Sequence, residues 1–369
     1  MQITQSGGKE MRQFNIYHRK DGRWEGRIPS NQTPGQGGRY TAFYGKTKEE
    51  VAAKMSQFRT KFATADISLT VAELYVEWLR CNQPRLKEST IANYMMKAEK
   101  HILPAFGACQ VTSLTLNEVY DFIRQKQEAG LSNRYISDIL VLMKSVFRYG
   151  VMRYRINNPI DGLVMPKRHK SEVRLLTKSE QERLEQYIAE NRSLTTLGIA
   201  LSKSTGLRIG ELCALQWEDI DLEKRILTVR KTMQRIRCKN GNRKTKLIIT
   251  DPKTENSRRA IPIPAFLIGF LRQYQSVGKD YVLSGTQKPV EPRTMQYRFV
   301  RVLKNANLPS VHFHSLRHNF ASNCIALGFD VKALSEILGH SNVEITLNLY
   351  VHSSFEQKVE YMSRLKMAV

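Results

Sequence analysis

The sequence predicts a multidomain, mainly α-helical chain with small β elements: a β-rich N-terminal module, a helical bundle, and a mixed α/β C-terminal domain. Three observations predict it. The chain has 369 residues with an ordinary 41% apolar fraction, enough for two or three domains that each bury a core. Its apolar spacing shifts from partial alternation near the N-terminus to helical spacing beyond residue 68. Its formal charge of +24 is carried by every segment, with +7 in residues 1–64, +5 in 65–170 and +12 in 171–369.

Each element has its own reason. Phe14–Tyr17, Arg23–Ile28 and Arg39–Tyr44 alternate in part and are separated by Gly, Pro and Asn, so they read as strands. Asp21-Gly22 is the hairpin signal between the first two. A helix follows over Lys48–Phe62, and the module takes residues 1–64. Arg19, Lys20, Arg23, Arg27 and Arg39 lie on or near its strands; they fit a DNA-binding face and equally the solvated side of a small sheet.

Residues 65–165 read as all-α. Ser89–His101 is one helix, bearing Lys97 and Lys100. Thr115 and Glu118 form a capping box before Leu116, Val119, Tyr120 and Ile123, and that helix stops at Gly130. Ile136, Ile139, Leu140, Met143 and Phe147 share the face of another, ending at Gly150. A basic linker runs from Asn158 to Lys170.

In the last domain, 171–369, Thr177 and Glu180 cap a helix through Ile188, and another covers Leu194–Ser204. Strands are expected at Arg225–Arg230, Leu247–Thr250 and Arg259–Ile263. Helices return at Pro292–Ala306, Ser315–Leu327, Val331–Leu338 and Asn342–Leu349, with Ser341 and Glu344 capping the last.

The positive excess attracts polyanions, with nucleic acid as the leading partner and an anionic membrane surface as the rival. The apolar run Ala265–Leu271 is far short of the about 20 residues of a spanning helix, and residues 1–14 lack the apolar stretch of a signal peptide, so a cytoplasmic location is expected. Cys81, Cys109, Cys213, Cys238 and Cys324 are scattered without a C-x-x-C pair, which suggests neither disulfides nor a zinc site.

Three segments of the last domain carry chemistry. In Ser204-Thr205-Gly206-Leu207-Arg208-Ile209-Gly210-Glu211, Gly206 ends a helix and Arg208 opens the next turn. In His312–Phe320, His314 and Arg317 lie three apart on a helix. Leu338-Gly339-His340-Ser341 precedes a helix that reaches Tyr350. Lys253 falls in an apparent turn before Arg258 and Arg259. Singly, each has a bland reading as surface charge, polar patch or helix-end packing. Together they supply planar cations, a lysine, two histidines and a tyrosine, with no carboxylate cluster for Mg²⁺, no Walker A loop and no dinucleotide fingerprint.

This set, in order and spacing, resembles the tyrosine recombinase (phage-type integrase) family, and the whole chain looks most like integrases of conjugative transposons. The resemblance implies an arm-type DNA-binding module, a helical core-binding domain and a catalytic domain. It implies catalysis without cofactor or metal by Arg208, Lys253, His314, Arg317, His340 and Tyr350, with Glu211 in support. The arginines and His340 would stabilise the phosphate, His314 would act as base and Lys253 as acid, and Tyr350 would attack phosphorus. Double-stranded DNA at arm and core sites is the implied partner. Further candidates to touch it are Lys87, Ser89, Thr90, Tyr94 and Lys97, the basic loop Arg237, Lys239, Arg243, Lys244 and Lys246, and Arg258 and Arg259. A tail with Val359, Met362 and Leu365 would pack on a neighbour in a homo-tetramer, or on its own domain. An excisionase accessory protein is a further expected partner. Two alternative functions compete with it: a type IB topoisomerase-like DNA-relaxing enzyme, which shares the chemistry, and a non-catalytic DNA-binding protein with the same fold.

Overall fold

The computed structural model describes residues 15–29, 40–62, 68–167, 174–238, 244–251, 257–350 and 362–363. It is mainly helical with small sheets, and the chain divides into two compact units, Met1–Lys170 and Ser171–Val369.

The first unit opens with an antiparallel sheet of β1 (Asn15–His18), β2 (Trp24–Pro29) and β3 (Tyr40–Gly45), in that order. The Asp-Gly turn closes as expected, with Gly22 N–H donating to Arg19 O at 3.1 Å. Helix α1 (Lys48–Phe62) covers one face, where Ile28, Val51 and Met55 are buried against Trp24, Phe43 and Phe58.

The helices that follow are α2 (Val71–Asn82), α3 (Glu88–Lys97), α4 (Leu103–Phe106), α5 (Leu116–Glu128) and α6 (Asn133–Tyr154), with a π turn over Ala98–Ile102 between α3 and α4. Thr70 and Thr115 make complete capping boxes with Glu73 and Glu118. Leu74, Trp78, Ile102, Phe122, Ile139 and Phe147 form part of one core, each such side chain contributing about 1.5–3 kcal/mol.

Two expectations here are corrected. Helix α6 does not stop at Gly150 but runs to Tyr154, where Arg155 turns left-handed with φ 56°. Gly150 serves packing instead: a Cβ there would lie 2.8 Å from Ile156 and 3.0 Å from Leu74. On α5, Phe122 rather than Tyr120 joins Val119 and Ile123 in the core; Tyr120 is exposed and its hydroxyl accepts from Val164 N–H at 3.2 Å.

The second unit contains α7 (Lys178–Glu190), α8 (Leu194–Thr205), α9 (Ile209–Ala214), the strands β4 (Ile220–Asp221), β5 (Ile226–Val229), β6 (Thr232–Arg237), β7 (Thr245–Thr250) and β8 (Arg259–Pro262), then α10 (Ala265–Gln273), α11 (Pro292–Asn305), α12 (Ser315–Ala326), α13 (Val331–Leu338) and α14 (Val343–Tyr350). Strands β4, β5 and β8 form one antiparallel sheet in that order, while β6 and β7 form a separate hairpin. Strand β6 was not read from the sequence, although Met233 and Ile236 are its buried residues. The apolar run at Ala265 is α10, which buries Leu267, Phe270 and Leu271 and leaves Phe266 exposed. The cap of α14 is Asn342 rather than Ser341: its Oδ1 accepts Glu344 N–H at 3.0 Å. Among the described residues no helix is long and apolar enough to cross a membrane.

Candidate active site

Helix ends position most of the described residues of this site. Helix α8 ends at Gly206, whose φ of 67° suits a residue without a side chain. A Cβ there would also come within 2.7 Å of both Leu338 and Phe320, so this glycine lets the turn touch α12 and α13. Two residues later Arg208 is the N-cap of α9 in extended backbone. Glu211 accepts its N–H at 3.0 Å and its Nη1 at 2.7 Å, completing the turn that aims the guanidinium.

Arg317, on the first turn of α12, is only 4% exposed. Its Nη1 donates to Gly206 O and its Nη2 to Leu338 O, both at 2.7 Å. It thereby caps the carbonyl-rich ends of α8 and α13, where the helix dipole favours a cation. Arg208 Nη2 donates to the next carbonyl, Gly339 O, at 3.1 Å. His340 follows, its Nδ1 hydrogen-bonded to the buried Thr346 Oγ1 at 2.8 Å. A cleft of about 330 Å³ lined by Arg258, Arg259, Ser335, Gly339 and His340 opens beside it.

The electrostatics follow from this crowding of cations. Burial, then Arg208, brings the Arg317 guanidinium down to about 9, still protonated at neutral pH. Burial, then Arg317 and Arg208, lowers the His340 imidazole to about 4. His314 keeps a solvent-exposed edge, yet partial burial of its ring, then His318, Arg317 and Arg208, hold it at about 4 as well. The two rings of His314 and His318 meet edge to face at 4.9 Å. Burial would raise the Glu211 carboxyl, but Arg259 and Arg208 outweigh it and keep it ionised below its ordinary range.

The structure therefore brings Arg208, Glu211, His314, Arg317 and His340 together. Tyr350 is the last residue of α14; its side chain, and Lys253, Arg39, Lys239, Arg243, Val359 and Leu365, lie outside the described residues. Among the expected DNA contacts two are buried. Arg259 is 9% exposed, with Nη2 on Glu211 Oε2 at 2.9 Å and Nε on Ile337 O at 2.5 Å, so it belongs to the interior of the site. Lys97 is buried, its ammonium 3.6 Å from Asp138 and beside the Tyr135 ring, so it does not present an open charge. The alternation of β8 could have placed Arg259, since it shares the buried face of Ile261.

The remaining candidates are at the surface or partly so. Arg258 pairs with Asp251 at 2.9 Å, and Lys87, Arg237, Lys244 and Lys246 are exposed. Ser89 and Thr90 are half-buried, and the Tyr94 ring lies 5.6 Å from Trp78. On the sheet face away from α1, buried Glu25 accepts from Arg19 and, at 2.6 Å, from Arg27, while Asp21 holds Arg23 at 2.8 Å and Lys20 is exposed. Arg27 lies over the rings of Tyr17 and Tyr40, at 5.0 and 4.2 Å.

Residues 173–357 match the phage integrase family, and residues 70–127 match the phage integrase N-terminal SAM-like domain. A XerC-like tyrosine recombinase of Caldanaerobacter subterraneus is 28% identical, covering 88% of this chain and 90% of that protein. The transposase from transposon Tn916 of Enterococcus faecalis is 22% identical, over 86% of this chain and 82% of its own. The Tn1549 transposon integrase, solved in complex with a circular intermediate DNA, superposes with a TM-score of 0.68 at 25% identity, covering 81% of this chain and all of that one. A lambda integrase dimer bound to a core site shares the fold, with a TM-score of 0.58 at 19% identity over 91% of this chain and 94% of that one. The chain belongs to the phage integrase family: it is a tyrosine recombinase, an enzyme of site-specific DNA cleavage and rejoining.

Proposed function

We propose that the chain integrates and excises a mobile element, with Tyr350 as nucleophile and Arg208, Arg317 and His340 as the cradle of the scissile phosphate. The observation that carries the reading is the convergence of both arginines on the C-terminal turn of α13. Each guanidinium has five N–H groups and donates two of them to protein acceptors, Arg208 to Glu211 and Gly339 O and Arg317 to Gly206 O and Leu338 O, which leaves donors to fork onto phosphate oxygens. Such fixed donors are worth most where charge builds in the transition state.

The Tyr350 phenolate attacks phosphorus, a 3′-phosphotyrosine bond forms and the bond to the 5′-oxygen breaks. Lys253 supplies the proton to the departing oxygen. His314, neutral at neutral pH, accepts the phenolic proton. Burial and His318 keep this ring weakly basic, with Arg317 and Arg208 adding to them; an incoming phosphate offsets the arginines' part and so raises its affinity for that proton. Glu211 orients Arg208. Rejoining reverses these steps on a new strand, with no external energy source.

The domain reading accompanies this one. Residues 1–64 form an arm-type DNA-binding module that meets DNA through Arg19, Lys20, Arg23 and Arg27, with Arg39 as a further candidate by sequence, residues 65–165 grip the core site, and residues 171–369 carry catalysis and a tail that joins a tetramer on DNA. The Arg and Tyr side chains around Glu25 support the first assignment, because guanidinium groups held in place lose less freedom on meeting phosphate. An excisionase that sets direction fits this scheme.

The test is a nicked duplex that carries the junction between the element and its chromosome. Wild type forms a denaturant-resistant adduct, and Tyr350→Phe binds the duplex equally well without forming it. An adduct that persists in Tyr350→Phe would sink the nucleophile assignment.

A further inference from the structure

Three consecutive carbonyls at the end of α13 each receive a different arginine: Ile337 O from Arg259, Leu338 O from Arg317 and Gly339 O from Arg208. The last carbonyls of a helix have no partner within it, and they sit at its negative end. Here β8, α12 and the cap of α9 supply those partners. The turn so fixed continues through His340 into α14, the helix that ends at Tyr350.

Arg259 differs from the other two. Four of its five donors are committed: Nε to Ile337 O, Nη1 to Glu211 Oε1 and Ser257 O at 3.2 Å each, and Nη2 to Glu211 Oε2. Glu211 is filled in turn. Each of its oxygens accepts once from Arg208 and once from Arg259. With two cations on one carboxylate the trio keeps a net positive charge; with Arg208 alone, Glu211 would cancel the charge that a phosphate needs.

We infer that Arg259 is a positioning residue for the phosphate cradle: it shares Glu211 with Arg208 and clamps the last turn of α13, setting the charge and aim of Arg208 and Arg317 without touching phosphate. The inference rests on the recombinase reading of this same site. It assigns to the start of β8 a role in the chemical step rather than in gripping DNA. A guanidinium is required, because the clamp needs a planar fork to Glu211 and a third donor aimed at Ile337 O.

The experiment measures adduct formation by the full-length protein on the nicked junction duplex at varied duplex concentration. Arg259→Gln should lower the maximal rate about a hundredfold, the cost of a small misplacement in a site, and leave the half-saturating concentration unchanged. Arg259→Lys, which restores charge but not the fork, should recover part of the rate. In Glu211→Gln, adding Arg259→Gln should cost less than it does alone, since the two act as a unit. If Arg259→Gln fails to fold, as a thermal scan would reveal, Arg259→Lys carries the test by the same split. A wild-type rate in Arg259→Gln, a raised half-saturating concentration at unchanged maximal rate, or multiplicative effects in the double variant would each overturn the inference. Wild type that forms no adduct would overturn the recombinase reading and this inference with it.

Discussion

Arg317 binds two main-chain carbonyls from different helix ends, Gly206 O after α8 and Leu338 O of α13, and is almost wholly buried while doing so. An ammonium cannot span both. Arg317→Lys should therefore lower adduct formation by about 10²–10³-fold, the scale of one lost transition-state donor, and also lower the unfolding midpoint. A variant that lost rate with its melting curve unmoved would separate the two roles. The histidines give a pH prediction at the same scale. His314 and His340 titrate at about 4 in the folded protein, below the ordinary value of about 6.5, so the unfolded chain takes up protons first as pH falls. Their contribution to stability is intact above about pH 6.5 and is lost on the way down to about pH 4. Thermal unfolding should show that decline, and His340→Gln should flatten it; equal slopes in both proteins would contradict the assignment. Arg208, Glu211, His314, Arg317 and His340 were legible in the sequence because, as a set in order and spacing, they match the motifs of the family that the chain resembles. The pairing of Arg259 with Glu211 was not, since the two lie 48 positions apart and only folding makes them neighbours.

Helices α1 and α13 carry the residue limits that the sequence predicts, and α5, α7 and α12 lie within two residues of theirs, because caps and apolar spacing are local signals. Elements decided by tertiary contact were not legible. Helix α6 passes through Gly150 because Leu74 and Ile156 occupy the space beside it. Strand β6 exists as the partner of β7, with Met233 opposite Ile249, and its charged residues masked the alternation. Gly150→Ala tests the first point. An added methyl raises helix propensity yet meets side chains at 2.8 and 3.0 Å, so overpacking by about 1–3 kcal/mol should win. Chemical denaturation measures it, and a more stable variant would mean that the neighbours yield.

At the scale of the whole molecule the charge is the governing quantity. Since each segment is basic, DNA affinity should fall steeply as salt rises, and removing residues 1–64 should reduce that slope. The truncated protein should still cleave a core-site duplex while recombining long substrates poorly; undiminished recombination would remove the arm-binding role. Net charge alone identified a polyanion partner and nothing about chemistry. The division of labour within it came from geometry: Arg208 and Arg317 converge on the last turn of α13, whereas Lys97 is buried beside Asp138 in the other unit. The row of carbonyls at Ile337, Leu338 and Gly339 also has a practical consequence for protein engineers. It works as a comb whose teeth index three segments from distant parts of the unit, so a one-residue insertion there would deal every arginine to the wrong tooth. A chimera between relatives must therefore transplant α9, β8, α12 and α13 together as one cassette, whatever loops are exchanged around them.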